Sequence, residues 1–136
     1  AHKDITKLLE VDKNIKFIIK EYPILGTESV LIARVTIAVL QLYNKNIYKR
    51  IHNKLMNDYI NPTEQNIKRF LEENKLDSSL VLRHINSESV TNHLRKIRQQ
   101  GERLSITGTP TFVIEGNMVR GYLSYKQLQE IINEIR

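Results

Sequence analysis

The chain has 136 residues, enough for a domain with a real core, of which 40% are apolar and 26% charged. It contains no cysteine, which excludes disulfides, zinc–thiolate sites and a thiol nucleophile from these residues. A formal charge of +6 makes the surface basic, which permits contact with nucleic acid or an anionic membrane without requiring it.

Ile5, Leu8, Leu9 and Val11 recur at helical spacing and predict a short first helix. Asn14–Tyr22 (NIKFIIKEY) is rich in β-branched and aromatic residues and reads as a strand, ended by Pro23. Gly26 breaks the chain, and Thr27 is the expected N-cap of a helix over Glu28–Tyr43. That helix is apolar nearly all round, from Val30 to Leu42, and should be buried on several sides. Its apolar run is interrupted by Arg34 and Gln41 and is shorter than the about 20 residues that span a bilayer.

Lys45–Tyr59 is amphipathic, with Ile47, Tyr48, Ile51, Leu55 and Met56 on one helical face. Pro62 suits the first position of a further helix whose face carries Ile67, Phe70 and Leu71. Asp77 can cap a short helix with Leu80, Val81 and Ile85. Asn86 or Ser87 can cap a longer one with Val90, Leu94, Ile97 and Leu104, which Gly101 weakens near its end. Thr111–Glu115 reads as a strand, Gly116-Asn117 as a two-residue hairpin turn and Met118–Arg120 as the return strand. Ser124 and Gln127 form a capping box for a last helix with Leu128, Ile131, Ile132 and Ile135 on its buried stripe. The order is helix, strand, helical block, hairpin, helix: an α/β protein with an all-helical insertion.

Ser105-Ile106-Thr107-Gly108-Thr109-Pro110 leads directly into the Thr111 strand. Proline lacks a backbone N–H and cannot sit within a central ladder, so Pro110 belongs at the mouth of the strand, where a cis X-Pro bond is usually a deliberate feature. Phe17–Arg34 (FIIKEYPILGTESVLIAR), Tyr48, His52, Leu55 and Met56, and Gly108–Ile114 (GTPTFVI) with Gly121 and the capped last helix resemble the DsbA-like thiol:disulfide oxidoreductases over essentially the whole chain. The resemblance implies a thioredoxin-like fold, with residues 1–26 and 105–136 forming the thioredoxin-like part and 27–104 the helical insertion. It implies thiol–disulfide exchange on extracytoplasmic, periplasmic protein substrates, with a redox partner protein and without a cofactor or metal. Thr109 and Pro110 become the substrate-binding residues, because the residue before the cis-proline pairs its backbone with substrate in that family.

The family's Cys-x-x-Cys pair would fall immediately before Ala1. The chain is therefore expected to be a fragment that begins after the redox motif, lacks the strand leading into it and is itself redox-inactive. Loss of that strand would leave two sheet edges open. A rearranged sheet, a strand-paired or swapped homodimer, or a bound upstream peptide is then expected. The alternative function is a thioredoxin-like module that binds peptides or partners without catalysis. A weaker resemblance is to kappa-class glutathione transferases, which carry the same kind of insertion.

The remaining residues have ordinary readings. His2, His52, His84 and His93 lack the spacing of a zinc helix and read as packing or surface histidines. Lys45, Lys49, Arg50 and Lys54, and Arg95, Lys96, Arg98 and Arg103, read as solvated helix faces. No nucleic-acid motif or interleaved aromatics accompany them, so no nucleic-acid partner is expected. Gly108 and Gly116 serve turns and not a phosphate loop.

Overall fold

A computed structural model describes all 136 residues, Ala1–Arg136. The elements run α1 (His2–Val11), α2 (Thr27–Leu42), α3 (Lys45–Asn57), α4 (Glu64–Glu73), α5 (Ser78–His84), α6 (Glu88–Arg103), β1 (Thr111–Ile114), β2 (Asn117–Arg120) and α7 (Tyr125–Ile135). They divide into two compact units, residues 20–104 and residues 1–19 with 105–136.

The helical unit is built around α2. Five successive residues of that helix, Val35 to Val39, are buried, so no face of it is left for solvent there. Helices α3, α5 and α6 pack on α2, and α4 packs on α5. Ile37, Ile51, Ile67, Leu71, Val81 and Val90 are almost wholly enclosed. Each such aliphatic side chain contributes about 1.5–3 kcal/mol of hydrophobic stabilisation. Side-chain oxygens of Asn44, Thr63, Asp77 and Ser87 cap α3 to α6 by accepting amide hydrogens of their first turns.

Two expected helix starts move. Gly26, not Thr27, caps α2; its φ of 105° belongs to a region that favours glycine, and Thr27 follows as the first helical residue. Pro62 lies outside α4, because Thr63 accepts the Asn66 amide at 3.2 Å and takes the cap. Gly101 has a role that helix propensity does not reveal. It is buried in α6, and a Cβ there would lie 2.7 Å from the ring of Tyr22, so the absence of a side chain admits that ring.

The discontinuous unit joins α1, the β1–β2 hairpin and α7. Leu8, Leu123 and Leu128 are its buried centre, with Ile5, Phe112, Ile114, Val119, Ile131 and Ile132 packed around them. Period-two alternation sends Phe112 and Ile114 inward and leaves Val113 exposed. The hairpin turn is Glu115-Gly116, one residue earlier than expected: both have positive φ (46° and 83°), as a type I′ turn requires, and Ile114 pairs with Asn117. The Ser124–Gln127 capping box opens α7.

Carboxylates of the first segment hold α7 at both ends. Asp4 accepts the Tyr125 amide at 3.0 Å and the Tyr122 hydroxyl at 2.7 Å. Asp12 takes a bidentate pair of bonds from Arg136 at 2.7 and 3.1 Å. Between these clasps runs a groove lined by Leu8, Val11, Tyr125 and Ile132.

The expected strand over Asn14–Tyr22 is absent. The segment is not helical and not part of any ladder, and the one sheet is the two-stranded hairpin. Strand-forming composition supplies pleated apolar faces, but a strand exists only through bonds to a neighbour, and none pairs with this segment. Phe17 and Ile18 are consequently exposed, at 42% and 61%. Met56, Leu80, Leu104 and Ile135 are also exposed although they share the phase of buried faces, because they sit in terminal turns or caps.

Candidate functional site

Six residues, Ser105 to Pro110, connect the end of α6 to β1, and they contain no ionisable side chain. The Thr109–Pro110 peptide is cis, Thr109 is exposed and Pro110 is half-buried. The main chain is tied down on both sides of Thr109. The Thr111 hydroxyl donates to the Gly108 carbonyl at 2.7 Å, and the Gly121 amide donates to the Pro110 carbonyl at 3.0 Å. Ser105 takes a left-handed φ of 55°, and its carbonyl accepts from Arg120 Nη2 at 3.2 Å. Thr109 and Pro110 thus come together at the mouth of β1, as their sequence neighbours require.

This loop offers hydrogen-bonding groups of the main chain. It offers no thiol and no ionisable side chain. No three His, Asp or Glu side chains converge anywhere as a cation site would require.

The histidines are not gathered. His2 begins α1, His84 Nε2 lies 2.8 Å from Gln41 Oε1, and His93 is half-buried on α6. Burial pushes the His93 imidazole below its ordinary value, aided by Lys20 and Lys96. His52 belongs to a cluster that the sequence did not disclose. Glu21 Oε1 accepts the Tyr48 hydroxyl at 2.7 Å and lies 2.8 Å from His52 Nδ1. Burial pushes the Glu21 carboxyl up, but the hydrogen bonds from His52 and Tyr48 prevail and hold it below the ordinary carboxylate value. Burial, and then the Glu21 charge, push the Tyr48 hydroxyl up. The i, i+4 relation of Tyr48 and His52 on α3 was visible; nothing in the sequence tied Glu21 to them.

The sequence profile of the DSBA-like thioredoxin domain matches residues 1–133. This chain belongs to the DSBA-like thioredoxin family. A thioredoxin-like oxidoreductase from Silicibacter pomeroyi DSS-3 superposes with a TM-score of 0.87 at 28% identity, over 98% of this chain and 75% of that one. The thiol-disulfide exchange protein α-DsbA2 of Wolbachia pipientis gives 0.87 at 23% identity, over 99% and 73% of the two chains. Proteus mirabilis ScsC in a compact conformation gives 0.80 at 20% identity, over 97% and 72%. No protein with a curated functional description matches the chain at a significant level. The fold is therefore the α/β, thioredoxin-like arrangement with an all-helical insertion that is typical of DSBA-like proteins, a family of thiol–disulfide oxidoreductases that act on protein thiols. No helix is long and apolar enough to cross a membrane.

Proposed function

We propose that this chain is the substrate-binding part of a DsbA-like thiol–disulfide oxidoreductase that acts on extracytoplasmic protein thiols and disulfides. In this reading Thr109 and Pro110 receive an extended substrate segment, which pairs with the exposed main chain of Thr109. The observation that carries it is the loop itself: an exposed Thr109, its main chain anchored at both flanks, in a chain matched by the family over residues 1–133. Edge-on pairing of an extended peptide with exposed main chain is a general mode of peptide recognition.

Exchange requires a thiolate to attack a disulfide sulfur, and these 136 residues contain no thiol. The chain alone is then a binder without turnover. Dithiothreitol-driven insulin reduction with this chain should proceed at the uncatalysed rate, and catalysed turnover would contradict the assignment. Titration of the isotope-labelled chain with S-alkylated insulin B chain should move the amide signals of Gly108, Thr109 and Thr111. Unmoved signals at saturating peptide would remove the substrate-binding role.

The cysteine-free composition also favours a second reading, a thioredoxin-like module that binds peptides or partners without redox chemistry. A thiol count on the denatured protein as encoded by its gene separates the two. Two thiols that appear only after reduction support the oxidoreductase, and none in either state supports the binding module.

A further inference from the structure

A main-chain donor recognises a peptide only if it points in one direction, and the first rung of the hairpin holds a device that sets this direction. Thr111 and Arg120 are opposite one another in the β1–β2 register, immediately after Pro110. Both direct their side chains back over the preceding loop. Thr111 Oγ1 donates to the carbonyl of Gly108 at 2.7 Å, and Arg120 Nη2 donates to the carbonyl of Ser105 at 3.2 Å.

The Gly108 bond matters for its neighbour. A peptide unit is planar, so the carbonyl of Gly108 and the N–H of Thr109 are rigidly linked and, in a trans unit, point in opposite directions. Drawing the Gly108 oxygen toward Thr111 therefore turns the Thr109 N–H away from β1. Gly108 cannot fix this plane itself. It has no Cβ, and the space around it is open. The Arg120 bond holds the start of the same loop at Ser105, whose left-handed φ of 55° is one that residues with a Cβ rarely adopt. The Gly121–Pro110 bond fixes the other flank through main chain alone.

We infer that Thr111 and Arg120 are positioning residues that orient the Thr109 main chain for peptide pairing, with Thr111 setting the peptide plane and Arg120 the base of the loop. The inference deepens the reading of Thr109–Pro110 as a substrate-binding segment and rests on it for the nature of the ligand. It does not rest on it for the orientation of the loop.

The experiment uses the full isotope-labelled chain with Thr111→Val, which keeps the β-branched shape and removes the donor, and Thr111→Ser, which restores it. Arg120→Leu forms a third variant. In the free protein, the backbone order parameter of Thr109 should fall in T111V from the rigid range of about 0.85 toward about 0.6, and T111S should recover it. R120L should loosen Ser105 to Gly108. Affinity for S-alkylated insulin B chain should fall about 2- to 10-fold in T111V, the span of one net hydrogen bond, and return in T111S. Both bonds are exposed, so the melting temperature should stay within about 2 °C of the parent. An unchanged Thr109 order parameter in T111V overturns the inference. So does an unchanged affinity when the order parameter has dropped. If the parent chain does not bind the B chain, the proposed substrate site falls, while the order parameters still decide whether Thr111 orients the loop.

Discussion

Replacing Gly101 by alanine opposes two effects that are usually argued separately. Within a helix the change favours folding by about 0.8–1.0 kcal/mol, because glycine has more conformational freedom to lose. Here the new Cβ would stand 2.7 Å from Cε2 and Cζ of Tyr22 and 3.0 Å from its hydroxyl oxygen. Carbon atoms in good contact lie about 3.5–4.0 Å apart, so the ring must retreat by about 1 Å. Overpacking of this kind costs about 1–3 kcal/mol. G101A should therefore be net destabilising by about 1 kcal/mol, a sign opposite to that expected from propensity. In a Tyr22→Ala background the obstacle is gone, and the same substitution should stabilise by about 1 kcal/mol. Urea denaturation of the four proteins gives the coupling directly, provided that the slopes agree. A coupling of about 2 kcal/mol is expected from these two figures. Equal effects of G101A in both backgrounds would refute the argument that Gly101 exists to admit Tyr22.

The Glu21 cluster gives a graded prediction. Glu21→Ala strands the buried Tyr48 hydroxyl without its acceptor and should cost about 1–3 kcal/mol, whereas Glu21→Gln keeps an acceptor oxygen and should cost less; equal losses in denaturation would contradict the hydrogen-bond account. The two clasps on α7 predict an acid limb. Hydrogen bonds from Tyr122 and then Tyr125 hold the Asp4 carboxyl below its ordinary value of 3.8, and Arg136 does so for Asp12. Because the folded values are depressed, their contribution is complete above the unfolded carboxylate pKa and is lost as the pH falls through the folded values, which lie below 3.8. Carboxyl-carbon NMR titration should give midpoints below 3.8 for both residues, and Asp4→Asn should flatten the acid limb of stability; a midpoint at or above 3.8 would contradict the clasp. Ser124→Ala removes the hydroxyl half of the α7 capping box and should lower stability by about 1 kcal/mol in the same urea assay.

Local rules carried much of this fold into the sequence. Asp77 and Ser124 announced their helices, and Ser87 stood as one of two candidates beside Asn86, because a cap needs only a short polar side chain and an amide two or three residues on. The all-round apolar character of α2 announced its burial. Where the reading failed, the deciding group was distant or the choice was between adjacent residues. Asn14–Tyr22 has the composition of a strand, but pairing is a property of two segments, and composition reports only one. Glu115-Gly116 and Gly116-Asn117 both fit a two-residue turn, and the choice fell with the register of the whole hairpin. Thr109 and Pro110 were legible as a loop because proline constrains its immediate neighbours. Their anchors were not: Thr111 is an ordinary strand residue by composition, and Arg120 meets Ser105 only once the hairpin has closed. Glu21 and His52 are 31 positions apart, and neither lies in a pattern that names the other.

The clasps on α7 also order events in time. The helical unit is formed by one uninterrupted stretch, residues 20–104. The other unit depends on bonds between residues 118, 121 and 124 positions apart, from Asp4 and Asp12 to Tyr122, Tyr125 and Arg136. Closing so long a loop carries an entropic cost that local helix pairing does not meet, although it grows only by about 0.6 kcal/mol per doubling of length. Structure should therefore accumulate first in residues 20–104, while α1 waits for the long loop between it and α7 to close. In pulse-labelling hydrogen exchange during refolding, amides of α2 and α6 would gain protection before those of α1 and α7.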